Sequence, residues 1–230
     1  MMIEYVIPTN LDDRAIARGV ETLARGGLAA LPTDTSWSIA CSMTSPGGIK
    51  RLRALSGSRD EGHFTLLCAG MAQFGDLCVL DNSRFRLIKG LTPGPYVFIL
   101  RTLLGTEKAL GLRRKEIGVR IPDHPVPLAL LRALGRPLYS ITAKRGGYRD
   151  LPPSAPGRPV SRPGREAGPE ESWVFPEEAL FDEAWELELL EGIDIIFDPG
   201  EERPRIFSSI LDLTAGEVRV LRAGAGVWPR

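Results

Sequence analysis

Short apolar runs of strand character alternate with segments whose apolar residues recur at helical spacing, and this alternation limits the chain to folds that lay helices on a sheet. Residues 3–8 read as a short edge strand. Asn10 is placed to cap a helix over residues 11–25, with Ile16, Val20 and Leu23 on one face and Gly26 as its stop. Further strands are expected at 28–32, 64–68, 96–100, 117–122 and 137–142, and helices at 48–55, 82–89 and 127–135. The run Tyr96-Val97-Phe98-Ile99-Leu100 has the β-branched and aromatic content of a core strand. An α/β protein with a mixed sheet is the expectation.

Residues 151–169 interrupt this pattern. They are dense in Pro, Gly, Arg and Ser and lack apolar periodicity, so they read as a loop inserted into one domain that spans residues 1–230. Beyond them an acidic helix over 176–191 is expected, with Leu180, Ala184 and Leu187 at helical spacing, then strands at 193–198, 209–213 and 218–221. Charge is uneven. Fourteen of the 29 acidic residues lie in 166–202, which holds no Lys or Arg, leaving 15 acidic against 29 basic residues elsewhere. Folding either puts the two populations on different faces or intermixes them, and sequence leaves both open.

No apolar run reaches the length that crosses a bilayer, and the first residues lack a basic region followed by an apolar stretch. A cytoplasmic, non-membrane protein is expected. Cys41, Cys68 and Cys78 sit among apolar residues without metal-ligand spacing, and only His63 and His124 are available to a zinc site. The chain has no phosphate-cradling G-x-x-x-x-G-K-[ST] loop and no G-x-G-x-x-G turn. Neither histidine has a nucleophile in a recognisable elbow.

Polar clusters fall where strands end, which is where open α/β sheets hold ligands. Thr33-Asp34-Thr35-Ser36 follows a buried strand and suits either a small polar ligand or an ordinary strand-to-turn cap. Lys50, Arg51 and Arg53 share one short helix; arginine suits phosphate, and a solvated basic face is the plainer meaning. Arg120 stands between apolar strand neighbours, so it must snorkel, meet an anionic ligand or pair with an internal Asp. Alternation puts Ser140, Thr142 and Lys144 on one side of a strand. Ser208-Ser209 precedes a strand, and Arg222 precedes Gly224 and Gly226.

Taken in order, these clusters resemble the YrdC/YciO family, which includes the L-threonylcarbamoyladenylate synthases. Gly26-Gly27 followed by Pro32-Thr33-Asp34-Thr35 is similar to the family's opening G-G-x-x-x-x-P-T-D-T. Thr92-Pro93-Gly94-Pro95-Tyr96 resembles its P-G-P strand, and Gly118-Val119-Arg120-Ile121-Pro122 its G-V-R-x-P. Residues 193–200 with Ser208-Ser209-Ile210-Leu211-Asp212 resemble its D-x-G and S-T-x-x-D pair, and Arg222-Ala223-Gly224 its closing R-x-G. The likeness spans nearly the whole chain except 151–169.

The resemblance implies a twisted mixed sheet flanked by helices around a large basic cavity. It implies a synthase that joins L-threonine, bicarbonate and ATP into threonylcarbamoyl-AMP, with Mg²⁺ on the phosphates, for a modified adenosine in tRNA. By resemblance, Thr33 and Thr35 contact threonine, Arg120 holds its carboxylate, Arg53 meets phosphate, and Thr142, Ser209 and Arg222 line the nucleotide. Departures set the chain apart. The second cation of the K-x-R helix motif is Leu55, and the amide of the S-x-N motif is Lys144, which stands where it can replace the lost phosphate contact. Ser36-Trp37-Ser38 replaces a run that ends in glycine, and Cys68 replaces a histidine. Phe64-Thr65-Leu66-Leu67-Cys68 and Tyr139-Ser140 point to the YciO branch. The alternative for that branch is a protein that binds tRNA or double-stranded RNA on a basic surface without this reaction.

Overall fold

The computed structural model describes residues 1–56, 64–105, 115–145 and 177–228. The strands are β1 (Met2–Tyr5), β2 (Ala29–Leu31), β3 (Ser38–Ser42), β4 (Thr65–Leu67), β5 (Tyr96–Arg101), β6 (Glu116–Arg120), β7 (Leu138–Thr142), β8 (Ile195–Asp198), β9 (Ser209–Asp212) and β10 (Arg219–Arg222). The helices are α1 (Asp13–Ala24), α2 (Pro46–Ser56), α3 (Met71–Leu77), α4 (Asn82–Leu91) and α5 (Pro125–Leu134). One open, twisted mixed sheet runs in the order β1-β8-β2-β3-β7-β4-β6-β5-β9-β10.

Period-two alternation sends neighbouring side chains to opposite faces of this sheet. Ala29, Leu31, Ile195 and Phe197 pack with Ile16 and Leu23 of α1 and with Val126, Leu130 and Leu131 of α5. Ala30 and Ile196 point the other way, into the core that holds Leu52 of α2, Phe74 of α3 and Ile88 of α4. Strands β8 and β2, second and third from one edge, are therefore apolar on both sides, as strands covered by helices must be.

Four expectations need correction. Asn10 does not cap α1, because its amide closes a tight turn onto the Ile7 carbonyl at 2.9 Å; Asp12 caps instead, accepting from the Arg14 amide at 2.8 Å. β3 was not expected as a strand, since its serines and alanine look like a continuation of the polar turn before it. α3 is a seven-residue helix with an internal glycine, too short to show periodicity. The acidic helix is two short 3-10 turns, Glu177–Ala179 and Ala184–Leu189, with extended backbone between them. That backbone bonds elsewhere: the Asp182 carbonyl accepts from Trp37 Nε1 at 3.1 Å and from the Arg203 amide at 2.8 Å, and Leu180 bridges Lys144. An α-helix would need these groups for itself. The 151–169 insertion and Pro176 lie outside the described residues.

The two charge populations intermix. Arg51 pairs with Asp194 at 2.8 Å, Arg145 with Glu186, and Arg205 with Asp182, so part of the acidic stretch is matched by arginines drawn from elsewhere.

Candidate functional site

The central strands leave a hollow on one face, built by register. Ser38 lies opposite Thr142, Ser140 opposite Thr65, and Leu67 opposite Arg120. Gly118 sits beside Thr65 and keeps the floor low: a Cβ there would stand 3.1 Å from Val97 Cγ1 and 3.3 Å from Thr65 Oγ1. The resulting cavity encloses about 890 Å³ of space between atoms, part of it open to solvent. Trp37, Phe64, Val97 and Ile99 supply apolar walls, while Thr33, Ser36, Ser38, Thr65, Ser140 and Thr142 supply hydroxyls. Three cations complete the lining: Arg120, Lys144 and Arg222. Among the described residues no Asp, Glu or His lines it.

Arg120, at the end of β6, is 6% exposed and meets an internal acid. Its Nη2 donates to Asp34 Oδ1 at 2.6 Å, its Nη1 to Thr35 Oγ1 at 3.0 Å, and its Nε to the Gly94 carbonyl at 3.2 Å. Of the three fates open to this guanidinium, the internal Asp is the one realised, and the side chain still borders the cavity. Burial lowers its pKa, and Asp34 opposes the shift. Thr33 serves the turn and the cavity together: its hydroxyl donates to the Ser36 carbonyl at 2.6 Å while the side chain lines the hollow. Thr35 stands behind Arg120 and is not among the described lining residues.

On the opposite wall, Lys144 Nζ and the Arg222 guanidinium both lie over the Phe207 ring, 5.6 and 4.9 Å from its centroid. Arg222 Nε donates to the Ser208 carbonyl at 2.8 Å and Nη2 to Ser208 Oγ at 3.1 Å. Burial, then the like charge of Arg222, pushes the Lys144 ammonium down to about 7. Ser209 turns away from the cavity. Its Oγ donates to the Gly226 carbonyl at 2.6 Å and accepts from the Gly224 amide at 2.9 Å, tying down the closing loop. Gly224 is required there, because a Cβ would stand 2.3 Å from the Phe207 carbonyl oxygen.

Of the residues singled out in sequence, Thr33, Arg120, Thr142, Lys144 and Arg222 are brought together. Arg53, on α2, is not among the described residues that line this cavity or its neighbour. That neighbour is a smaller hollow of about 340 Å³ bounded by Ile39, Leu55, Ile141 and Leu190, and it shares Thr142 and Lys144 with the first. Leu55 thus gives an apolar wall where the resemblance expects a cation. Ser140 and Ser208, members of the polar clusters at strand ends, line the cavity too, whereas Ser38 and Thr65 were not assigned to the site, although their alternation with core residues was the available signal. Cys41, Cys68 and Cys78 are buried, and burial raises each thiol's pKa, those of Cys41 and Cys78 to about 12. They are core residues. Among the described residues no group of three or more His, Cys, Asp or Glu that could hold a metal ion is found.

The family model Sua5_yciO_yrdC, described as "Telomere recombination", matches residues 21–155. The YciO protein of Escherichia coli (strain K12) is 36% identical over 137 residues, which make up 59% of this chain and 66% of the relative, just under two thirds of its length. A threonylcarbamoyl-AMP synthase of Escherichia coli is 30% identical over 147 residues, 63% of this chain and 76% of that protein. The crystal structure of Escherichia coli YciO superposes with a TM-score of 0.76 at 28% identity, covering 99% of this chain and 98% of that one. The structure of Sua5 from P. abyssi complexed with L-threonine has a TM-score of 0.76 at 20% identity, over 97% of this chain and 58% of that one, and speaks for the fold. No helix among the described residues is long and apolar enough to cross a membrane.

Proposed function

The chain belongs to the Sua5/YciO/YrdC family, and from that premise we propose that it is a threonylcarbamoyl-AMP synthase of the YciO type, acting on L-threonine, bicarbonate and ATP. The observation that carries the reading is the convergence of Arg120, Lys144 and Arg222 on one hydroxyl-lined cavity without a lining carboxylate among the described residues.

In this reaction the threonine amine attacks the bicarbonate carbon, a C–N bond forms, and the C–OH bond breaks with loss of water to leave a carbamate. A carbamate oxygen then attacks the α-phosphorus, and pyrophosphate leaves. Bicarbonate, ATP and the threonine carboxylate all bring negative charge to one place, so their mutual repulsion and their positioning set the barrier. Arg120, fixed by Asp34, Thr35 and the Gly94 carbonyl, would receive the threonine carboxylate beside the Thr33 hydroxyl. Lys144 and Arg222 would meet the nucleotide phosphates, with Thr142 as a further donor. Thr35 and Ser209 would act at one remove, as positioning residues for Arg120 and the closing loop. Mg²⁺ would accompany ATP. The product would pass its threonylcarbamoyl group to tRNA.

The test is pyrophosphate release. All three substrates together should give it, and omission of any one should return the rate to background. Arg222→Gln should raise KM for ATP about ten- to a hundredfold, from the ~1.5–3 kcal/mol that a charge-assisted contact contributes. No release above the uncatalysed rate at high enzyme concentration would overturn the reading.

A further inference from the structure

Phe207 lies just before β9, and two cations from different elements share its ring. Lys144 Nζ, beyond the end of β7, stands 5.6 Å from the ring centroid, and the guanidinium carbon of Arg222, at the end of β10, stands 4.9 Å from it. Both distances fall within the range over which a ring quadrupole attracts a cation. Each cation is 9% exposed and lines the larger cavity, whereas Phe207 is not among the described lining residues.

The ring is anchored through its backbone. The Phe207 carbonyl accepts from the Ala225 amide at 2.8 Å, and the Ser209 amide donates to the Pro95 carbonyl at 2.8 Å. Arg222 is tied to the same stretch through the Ser208 carbonyl and hydroxyl, and the Lys144 backbone is bridged to Leu180. Lysine and arginine nevertheless carry long side chains of high rotamer entropy, and like charges repel. A ring that attracts both offsets part of that repulsion and selects the rotamers that reach it. An anion that meets both cations then has less ordering left to impose when it binds.

We propose that Phe207 is a positioning residue for the nucleotide phosphates, its ring setting the spacing of Lys144 and Arg222 so that both meet one polyphosphate. It touches no reacting atom and acts through these two side chains. The inference rests on the reading that this wall receives ATP, and it names what orders the wall before the ligand arrives.

Calorimetric titration of the full chain with Mg²⁺-ATP tests it, with mono-, di- and trifluorophenylalanine placed at position 207. Fluorine drains the negative face of the ring and barely alters its size, so a purely packing role would leave affinity unmoved. Affinity should fall stepwise along the series, to about tenfold below wild type in the trifluoro form. Phe207→Leu should lose at least as much, and Phe207→Tyr, which keeps the π face, should bind as the wild type does. If Phe207→Leu does not fold, the fluorinated series decides alone. Equal affinity across the series, or no binding of ATP by the wild type, would overturn the proposal. A stepwise loss of affinity without pyrophosphate release from the three substrates would uphold it and overturn the synthase reading. Pyrophosphate release with a flat series would do the reverse.

Discussion

Arg120 and Lys144 are both cations buried in one cavity, yet they are stabilised in opposite ways. Asp34 compensates Arg120 at 2.6 Å, so the charge is tolerated and the guanidinium is fixed before any ligand arrives. Removing it would leave the Asp34 carboxylate with the Asp123 amide, 3.0 Å from Oδ1, in place of a charged partner, and its Oδ2 already lacks a hydrogen-bond partner among the described residues. Arg120→Ala should therefore cost about 3–5 kcal/mol in chemical denaturation, and Arg120→Ala with Asp34→Ala less than Arg120→Ala alone. An equal or larger loss in the double variant would show that the pair is not coupled. Burial, then the like charge of Arg222, lowers the pKa of Lys144, which gives stability a definite pH dependence. Its folded pKa of about 7 lies below the ordinary lysine value of about 10.4, so between those two values the unfolded chain binds more protons. Wild-type stability should rise with pH across that window relative to Lys144→Met, by up to a few kcal/mol. Below pH ~7 the penalty is fully present and the variant should be the more stable by its widest margin. Parallel pH profiles for the two proteins would contradict this.

Among the elements, the closing loop and β3 do most to shape the hollow. The stretch from Arg222 to Gly226 lies backbone against backbone on Phe207 and Ser208, which aims the guanidinium through Ser208. Gly224→Ala should destabilise by ~1–3 kcal/mol through overpacking and should also raise KM for ATP, because Arg222 moves with the loop. Loss of stability with nucleotide affinity unchanged would separate the loop from the site. Most strands were readable because each is an unbroken apolar run with turn residues at its ends. β3 was not, since Ser38 and Ser42 are buried polar residues whose place in the sheet depends on pairing with distant β7. The acidic segment misled for a related reason. Leu180, Ala184 and Leu187 do face the core, but Trp37 and Arg203 take the Asp182 carbonyl that a helix would have used. Local spacing carries no record of such partners. Arg120 could be singled out as a charge in apolar company, Lys144 by its alternation with Ser140 and Thr142, and Arg222 by the glycines after it, whereas their meeting in one cavity depends on a strand order that brings β6, β7 and β10 to the same face.

At the level of the whole molecule, the sheet gathers motifs from across the chain around one hollow lined by Arg120, Lys144 and Arg222. Among the described residues of the acidic stretch, none lines that hollow, and Asp182, Glu186 and Asp194 pair with Arg205, Arg145 and Arg51. The YciO and Sua5 structures share this fold. Calorimetric titration with Mg²⁺-ATP in bicarbonate-free buffers of different ionisation enthalpy examines that arrangement directly. ATP should bind with net proton uptake at pH 7.5–8.5, because an anion beside Lys144 raises an amine that rests near 7. Uptake should vanish in Lys144→Met, and affinity should fall about ten- to a hundredfold in Arg222→Gln. Absence of binding, or binding with the same affinity and proton count in wild type and both variants, would mean that these cations do not receive the nucleotide.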